Sequence, residues 1–229
     1  MRFTYQGMRL CWRLGRARRR LNDPDFFERE LFLVDLFVSG GTAVDVGANK
    51  GIYSYMLSRV CDRVLAFEAN KNLADNLRRA LPANCEVFEK AVADQSGQAQ
   101  FFIPQETKGR RVDRPNVGSM KKPKGPVREV LVETIRLDDV GLTDLSFLKI
   151  DVEGHEPAVM DGAWNTVKKN MPIILIEILD PSKKESKRIF DRLTDFGYRC
   201  VQLQKNSVRA LDSFDKADIG RNYIFIPVS

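Results

Sequence analysis

A chain of 229 residues holds one α/β domain with a full core and is short for two. Its 43% hydrophobic and 30% charged content is that of an ordinary globular protein, and no apolar run approaches the roughly 18 residues of a membrane helix. The net charge of +6 suits an anionic partner and gathers at Arg13, Arg16, Arg18, Arg19 and Arg20 and in KGRRVDRPNVGSMKKPKGPVR (108–128).

Taken from the start, MRFTYQGMRLCWRLGRARRR lacks the apolar segment and cleavage site of a secretory signal. Cys11, Cys61, Cys85 and Cys200 form no CxxC pair, which argues against zinc and disulfide roles and for a reducing cytoplasm. Phe26, Phe27, Leu31, Phe32, Val34, Leu36 and Phe37 predict a helical N-terminal extension over 1–40, opened by Asn22, Asp23 and Pro24 and stopped by SGG (39–41). The remainder, 41–229, reads as one domain. Its strand-like runs are TAVDVG, RVLAFEA (63–69), CEVFEKAVA (85–93), LSFLKIDV (145–152), MPIILIEI (171–178), YRCVQL (198–203) and NYIFIPV (222–228). Helical stretches GIYSYMLSRV, NLADNLRRALP, EPAVMDGAWNTVKKN and SKKESKRIFDRLTDFG fall between several of them, so the fold class is α/β with a mostly parallel sheet covered on both faces. The last two runs have no helix between them, which predicts an antiparallel strand near the end. An insert at about 95–140 breaks the rhythm: QAQFFIP and REVLVETIRL read as a hairpin joined by a long Pro/Gly/Lys-rich loop.

The loop after the first run, VGANKG, has the spacing G-x-N-x-G at Gly47, Asn49 and Gly51. A P-loop needs GxxxxGK[ST] and a dinucleotide fold GxGxxG, so both phosphate-binding readings are disfavoured. S-adenosylmethionine carries no phosphate. It needs close backbone approach, which Gly47 and Gly51 allow, and polar partners for its amino and carboxyl groups, which Asp45 and Asn49 supply. It also needs an acid for its ribose diol, and Glu68 ends the next run. The third block, FLKIDVEGHE (147–156), breaks from a strand into a loop holding Asp151, Glu153, His155 and Glu156, at the edge where open α/β sheets bind ligands.

Together VDVGANKGIYSYMLS, VLAFEAN, AVADQSGQAQFF, VGSM and FLKIDVEGHEPAVMDGA resemble, in order and spacing, the FkbM-type family of class I S-adenosylmethionine-dependent methyltransferases, over about residues 40–180. The resemblance implies a Rossmann-like, seven-stranded sheet with the last strand antiparallel. It also implies methyl transfer, in many members to hydroxyl groups of natural products and glycans. The expected acceptor is thus a small molecule or glycan, acidic or phosphorylated given the basic charge, with peripheral membrane contact left open.

Alcohol methylation needs a base near the acceptor. Asp151, His155 and Glu153 are the candidates, with His155 expected to have its pKa raised by the neighbouring acids. Glu156, before Pro157, is expected to cap the following helix. Asp94, after the third run, is a candidate for the adenine. Asp151 with Glu177 at the end of the fifth run would suit Mg2+ through oxygen ligands. Asn116, Gly118, Ser119 and Met120 read as part of a substrate lid. The alternative function is RNA methylation, but base-modifying enzymes usually carry [DN]PP[FY] where DVEG stands here, so nucleic acid is the disfavoured partner.

Overall fold

The computed structural model describes residues 30, 34, 38–105, 118–203, 207–214 and 221–228. The helix expected over 1–40 lies almost wholly outside these residues, as does Asn116. The strands β1 (Thr42–Val46), β2 (Arg63–Phe67), β7 (Leu145–Ile150) and β8 (Ile173–Glu177) form the middle of the molecule. Each is a near-continuous apolar run because both faces are covered; all five residues of β1 are buried. Beyond them lie β3 (Cys85–Phe88) at one edge, and β11 (Asn222–Pro227), β9 (Tyr198–Leu203) and β10 (Val208–Leu211) at the other. The order is β10-β9-β11-β8-β7-β1-β2-β3. Strands β3, β2, β1, β7 and β8 pair in parallel, and β11 runs antiparallel between β8 and β9.

The expected Rossmann-like class holds, but the sheet has eight strands rather than seven. The addition is β10, antiparallel to β9. Of its residues only Leu211 is buried, so VRAL carries no clear alternating signal. The run CEVFEKAVA also splits. After Phe88 the chain leaves the large sheet, and β4 (Ala91–Val92) pairs in parallel with β6 (Val127–Ile135). With β5 (Gly97–Pro104), antiparallel to β6 from Gly97↔Thr134 to Pro104↔Val127, this makes a second sheet of order β4-β6-β5. Its inner face, Phe101, Ile103 and Val132, packs on Ala69 just past β2, on Ala91 of β4 and on Met120.

Alternation along each central strand sorts side chains to two faces. Val44, Val46, Leu148 and Ile150 face α3 (Glu156–Gly162), α4 (Trp164–Asn170) and α5 (Lys184–Asp195). Ala43, Val64 and Phe147 face α1 (Ile52–Leu57), through Tyr53 and Leu57. Leu77 of α2 (Lys71–Ala80) packs on Ala48 and Ala66. Asp45 and Lys149 occupy the α1 face, each one residue from an apolar neighbour of the opposite face.

Candidate cofactor and acceptor site

At the end of β1 the chain must cross two strand ends at once. Gly47 N and Ala48 N both donate to Phe67 O, at 3.0 Å each, fastening the turn to β2. On the other side Gly47 lies against the acid loop: a Cβ there would stand 1.9 Å from Asp151 O, and its φ is +78°. Gly51, φ +77°, is closed off by Leu77, whose Cδ2 would be 2.5 Å from a Cβ. Both glycines are required by contact as well as by dihedral. Asn49 between them is also left-handed, φ 50°, a conformation asparagine tolerates.

Glu68 follows β2 and is 6% exposed. Its Oε2 accepts from Asn49 N and its Oε1 from Asn70 N, both at 2.8 Å. Burial raises its pKa above the ordinary carboxylate range, against the pull of those amides. Each carboxylate oxygen has a second lone pair, so the carboxylate can still receive a vicinal diol. Asn49 Oδ1 is buried and has no hydrogen-bond partner among the described residues, an acceptor waiting for a donor. Two glycines with no room for a side chain, an unpartnered amide oxygen and a two-pronged acid fit the amino, backbone-hugging and ribose parts of S-adenosylmethionine.

Asp45, expected to face the cofactor, is instead fully buried beneath the turn. Ser54 Oγ donates to its Oδ2 at 2.6 Å, and Lys149 Nζ stands 3.5 Å from its Oδ1. An acid inside an α1-covered strand must be paired within the core, and that pairing takes it away from the ligand. Asp94 is exposed after β4. Its charge acts on His155, and the carbonyl of its neighbour Ala93 backs onto Gly162 of α3.

The acid loop continues the β1–β7 pairing by one rung, with Asp151 N donating to Val46 O at 3.1 Å. Asp151 Oδ2 accepts from Lys149 Nζ at 3.2 Å. Asp151, Glu153 and Glu177 each offer a carboxylate oxygen within 4.8 Å of the others, so Glu153 joins the expected Asp151–Glu177 pair. Glu153 owes this to a left-handed backbone, φ 54°. Glu156 stands in the first turn of α3 but does not cap it: His155 is the N-cap, without a side-chain cap hydrogen bond. Glu156 Oε1 accepts from Gly154 N, before the helix, at 2.8 Å, while burial raises its pKa.

His155 departs from expectation. Its pKa is lowered, chiefly by burial, with Lys121 lowering it further and Asp94 alone among the neighbouring acids pulling upward. The acids adjacent in sequence point to their own partners, and desolvation prevails. Its Nε2 is buried and has no hydrogen-bond partner among the described residues. The lid segment meets this loop directly. Ser119 exchanges backbone hydrogen bonds with Phe102, its Oγ donates to Glu153 O at 3.2 Å, and Lys121 N donates to that Oγ at 3.0 Å.

Lys149, Ser119's link to Glu153 and Lys121 were not among the expected site residues. Lys149 had a legible signal, a charge inside the apolar run FLKI, which a strand buried on both faces carries only for a reason.

The strand order, the glycine turn at the end of β1 and the acid after β2 define a class I, Rossmann-like methyltransferase fold. Residues 45–200 match the methyltransferase FkbM domain model, and the chain belongs to that family. Its structure is similar to that of methyltransferase FkbM from Methylobacillus flagellatus KT, at 15% identity and a TM-score of 0.52, covering 82% of this chain and 44% of that one. The chain therefore spans less than half the length of that protein. Similarity also extends to a precorrin-6y C5,15-methyltransferase from Geobacter metallireducens GS-15 (14% identity, TM-score 0.43, 85% and 83% covered). M. capricolum TrmK, solved with S-adenosylhomocysteine, is a third (9% identity, TM-score 0.43, 87% and 67% covered). No curated protein matches significantly.

Proposed function

We propose that the protein is an S-adenosylmethionine-dependent O-methyltransferase acting on a hydroxyl of a sugar, glycan or natural product. The observation that carries this reading is Glu68, a buried acid held by two backbone amides at the tip of β2, beside a turn closed to side chains. When bound, the cofactor supplies a methyl group made electrophilic by a positive sulfur. Glu68 receives the ribose hydroxyls, Asn49 Oδ1 the amino group, and Gly47 and Gly51 leave the backbone bare for contact.

On the acceptor side Asp151 takes the hydroxyl proton, an effect of about 10²–10⁴-fold in rate. Holding acceptor and methyl in line contributes a further ~7–11 kcal/mol. Glu153 and Glu177 converge on the same point, and with Asp151 they would suit Mg2+ through hard oxygen ligands. Lys121, exposed above Gly154, suits an acidic or phosphorylated acceptor. Among the described residues no helix is long and apolar enough to cross a membrane, and Cys61, Cys85 and Cys200 are unpaired, which supports a place in the reducing cytoplasm.

The test is transfer of tritiated methyl from S-adenosylmethionine to a panel of glycans, nucleotide sugars and RNA, with and without EDTA. Label in a hydroxyl-bearing sugar supports the reading, and label in RNA alone replaces it with the nucleic-acid alternative. Loss of transfer in EDTA, restored by Mg2+, assigns the metal; full transfer in EDTA removes it. Asp151→Asn should keep S-adenosylhomocysteine binding and stop transfer.

A further inference from the structure

We propose that Lys149 is a positioning residue that locks the cofactor turn to the acceptor-side acid, so that one buried ammonium sets the two halves of the site against each other. This rests on the reading above for what each half does. Lys149 is 5% exposed. Its Nζ lies 3.3 Å from Gly47 O, 3.2 Å from Asp151 Oδ2 and 3.5 Å from Asp45 Oδ1, and 5.0 Å above the Tyr53 ring. These partners come from β1, the glycine turn, α1 and the loop after β7. Lys149 is ion-paired with both Asp45 and Asp151.

A lysine this deep loses its hydration and its rotamer freedom, so an aliphatic residue would fill the space at less cost. The charge must therefore be used. Two uses are separable: neutralising buried Asp45, and holding Gly47 O and Asp151 in register. A Cβ on Gly47 would stand 1.9 Å from Asp151 O, and Asp151 N donates to Val46 O at 3.1 Å, so a shift of the acid loop moves the cofactor seat with it. A misplacement of about 1 Å can cost ~10²-fold in a transfer reaction.

The experiment separates the two uses in the full chain, with S-adenosylhomocysteine as the probe. Asp45→Asn and the double variant Asp45→Asn/Lys149→Met are compared by melting temperature and by calorimetric titration. The double variant buries no unpaired charge at Asp45. We expect it to melt within a few degrees of Asp45→Asn and to bind the probe at least tenfold more weakly. Binding within threefold of Asp45→Asn at matched melting temperature overturns the proposal and leaves Lys149 a counter-ion. Should the double variant not fold, Lys149→Arg keeps the charge and changes the reach. Affinity at least tenfold weaker at an unchanged melting temperature supports positioning, and unchanged affinity overturns it. A variant that keeps the bridge distinguishes the underlying reading. Asp151→Asn, which keeps an oxygen for Lys149 Nζ and removes the base, is the variant that does so. Transfer lost with probe affinity kept supports the acceptor assignment, and transfer kept overturns that assignment while the Lys149 result stands.

Discussion

Gly47 stands where three requirements meet: a left-handed φ of +78°, contact with Asp151 O at 1.9 Å from any Cβ, and a carbonyl held by Lys149. Gly47→Ala is therefore expected to destabilise the protein by about 2–4 kcal/mol, combining backbone strain with overpacking against main chain. Chemical denaturation checks this. His155 makes a pH prediction. Its folded pKa lies below the ordinary 6.5, so as pH falls through 6.5 the unfolded chain takes a proton that the folded protein refuses. Stability is lost on that descent, until the folded pKa is reached. His155→Gln should show a flatter decline in stability than wild type below pH 6.5, measured by urea titration in steps of pH. Glu156 slopes the other way: its raised folded pKa costs stability as pH climbs above 4.5, a slope that Glu156→Gln removes.

At the scale of elements, the expected helix over EPAVMDGAWNTVKKN is two. The break falls at Ala163, φ −110°, because Gly162 is pressed onto the strand-end carbonyl of Ala93, which a Cβ would meet at 1.9 Å. Gly162→Ala should push α3 from that carbonyl and lower stability by about 1–3 kcal/mol, visible in the melting temperature. Ser119 Oγ donates to Glu153 O and accepts from Lys121 N, and Ser119→Ala removes both bonds. A loss of about 1–2 kcal/mol is expected, with S-adenosylhomocysteine affinity unchanged by calorimetry. The central strands were legible because burial on both faces leaves long apolar runs, whereas their spatial order was not read from the sequence. The junction at Phe88 was not, since nothing in CEVFEKAVA marks where pairing passes from β2 to β6. Strand β10 was hidden for a related reason, having one buried residue to show.

For the molecule as a whole, the sequence marked both parts of the site through residues that break local rules. Glycines and an asparagine interrupt a strand end, and acids crowd the loop after β7. It did not reveal which acids look inward. Asp45 stands one residue before the end of β1 and Glu68 one past β2, and both are buried. Yet one is paired under α1 with Ser54 and Lys149 and the other is held by two backbone amides. That difference depends on which face α1 covers, a long-range matter. The central claim is that Glu68 and the glycine turn seat S-adenosylmethionine. Its most direct test is calorimetric titration of S-adenosylhomocysteine into wild type and Glu68→Ala, matched for folding by circular dichroism. Removing two charge-assisted hydrogen bonds to the ribose is expected to cost at least ~3 kcal/mol, about 100-fold in Kd. Equal affinity in the two proteins, or no uptake by wild type at millimolar ligand, would contradict it.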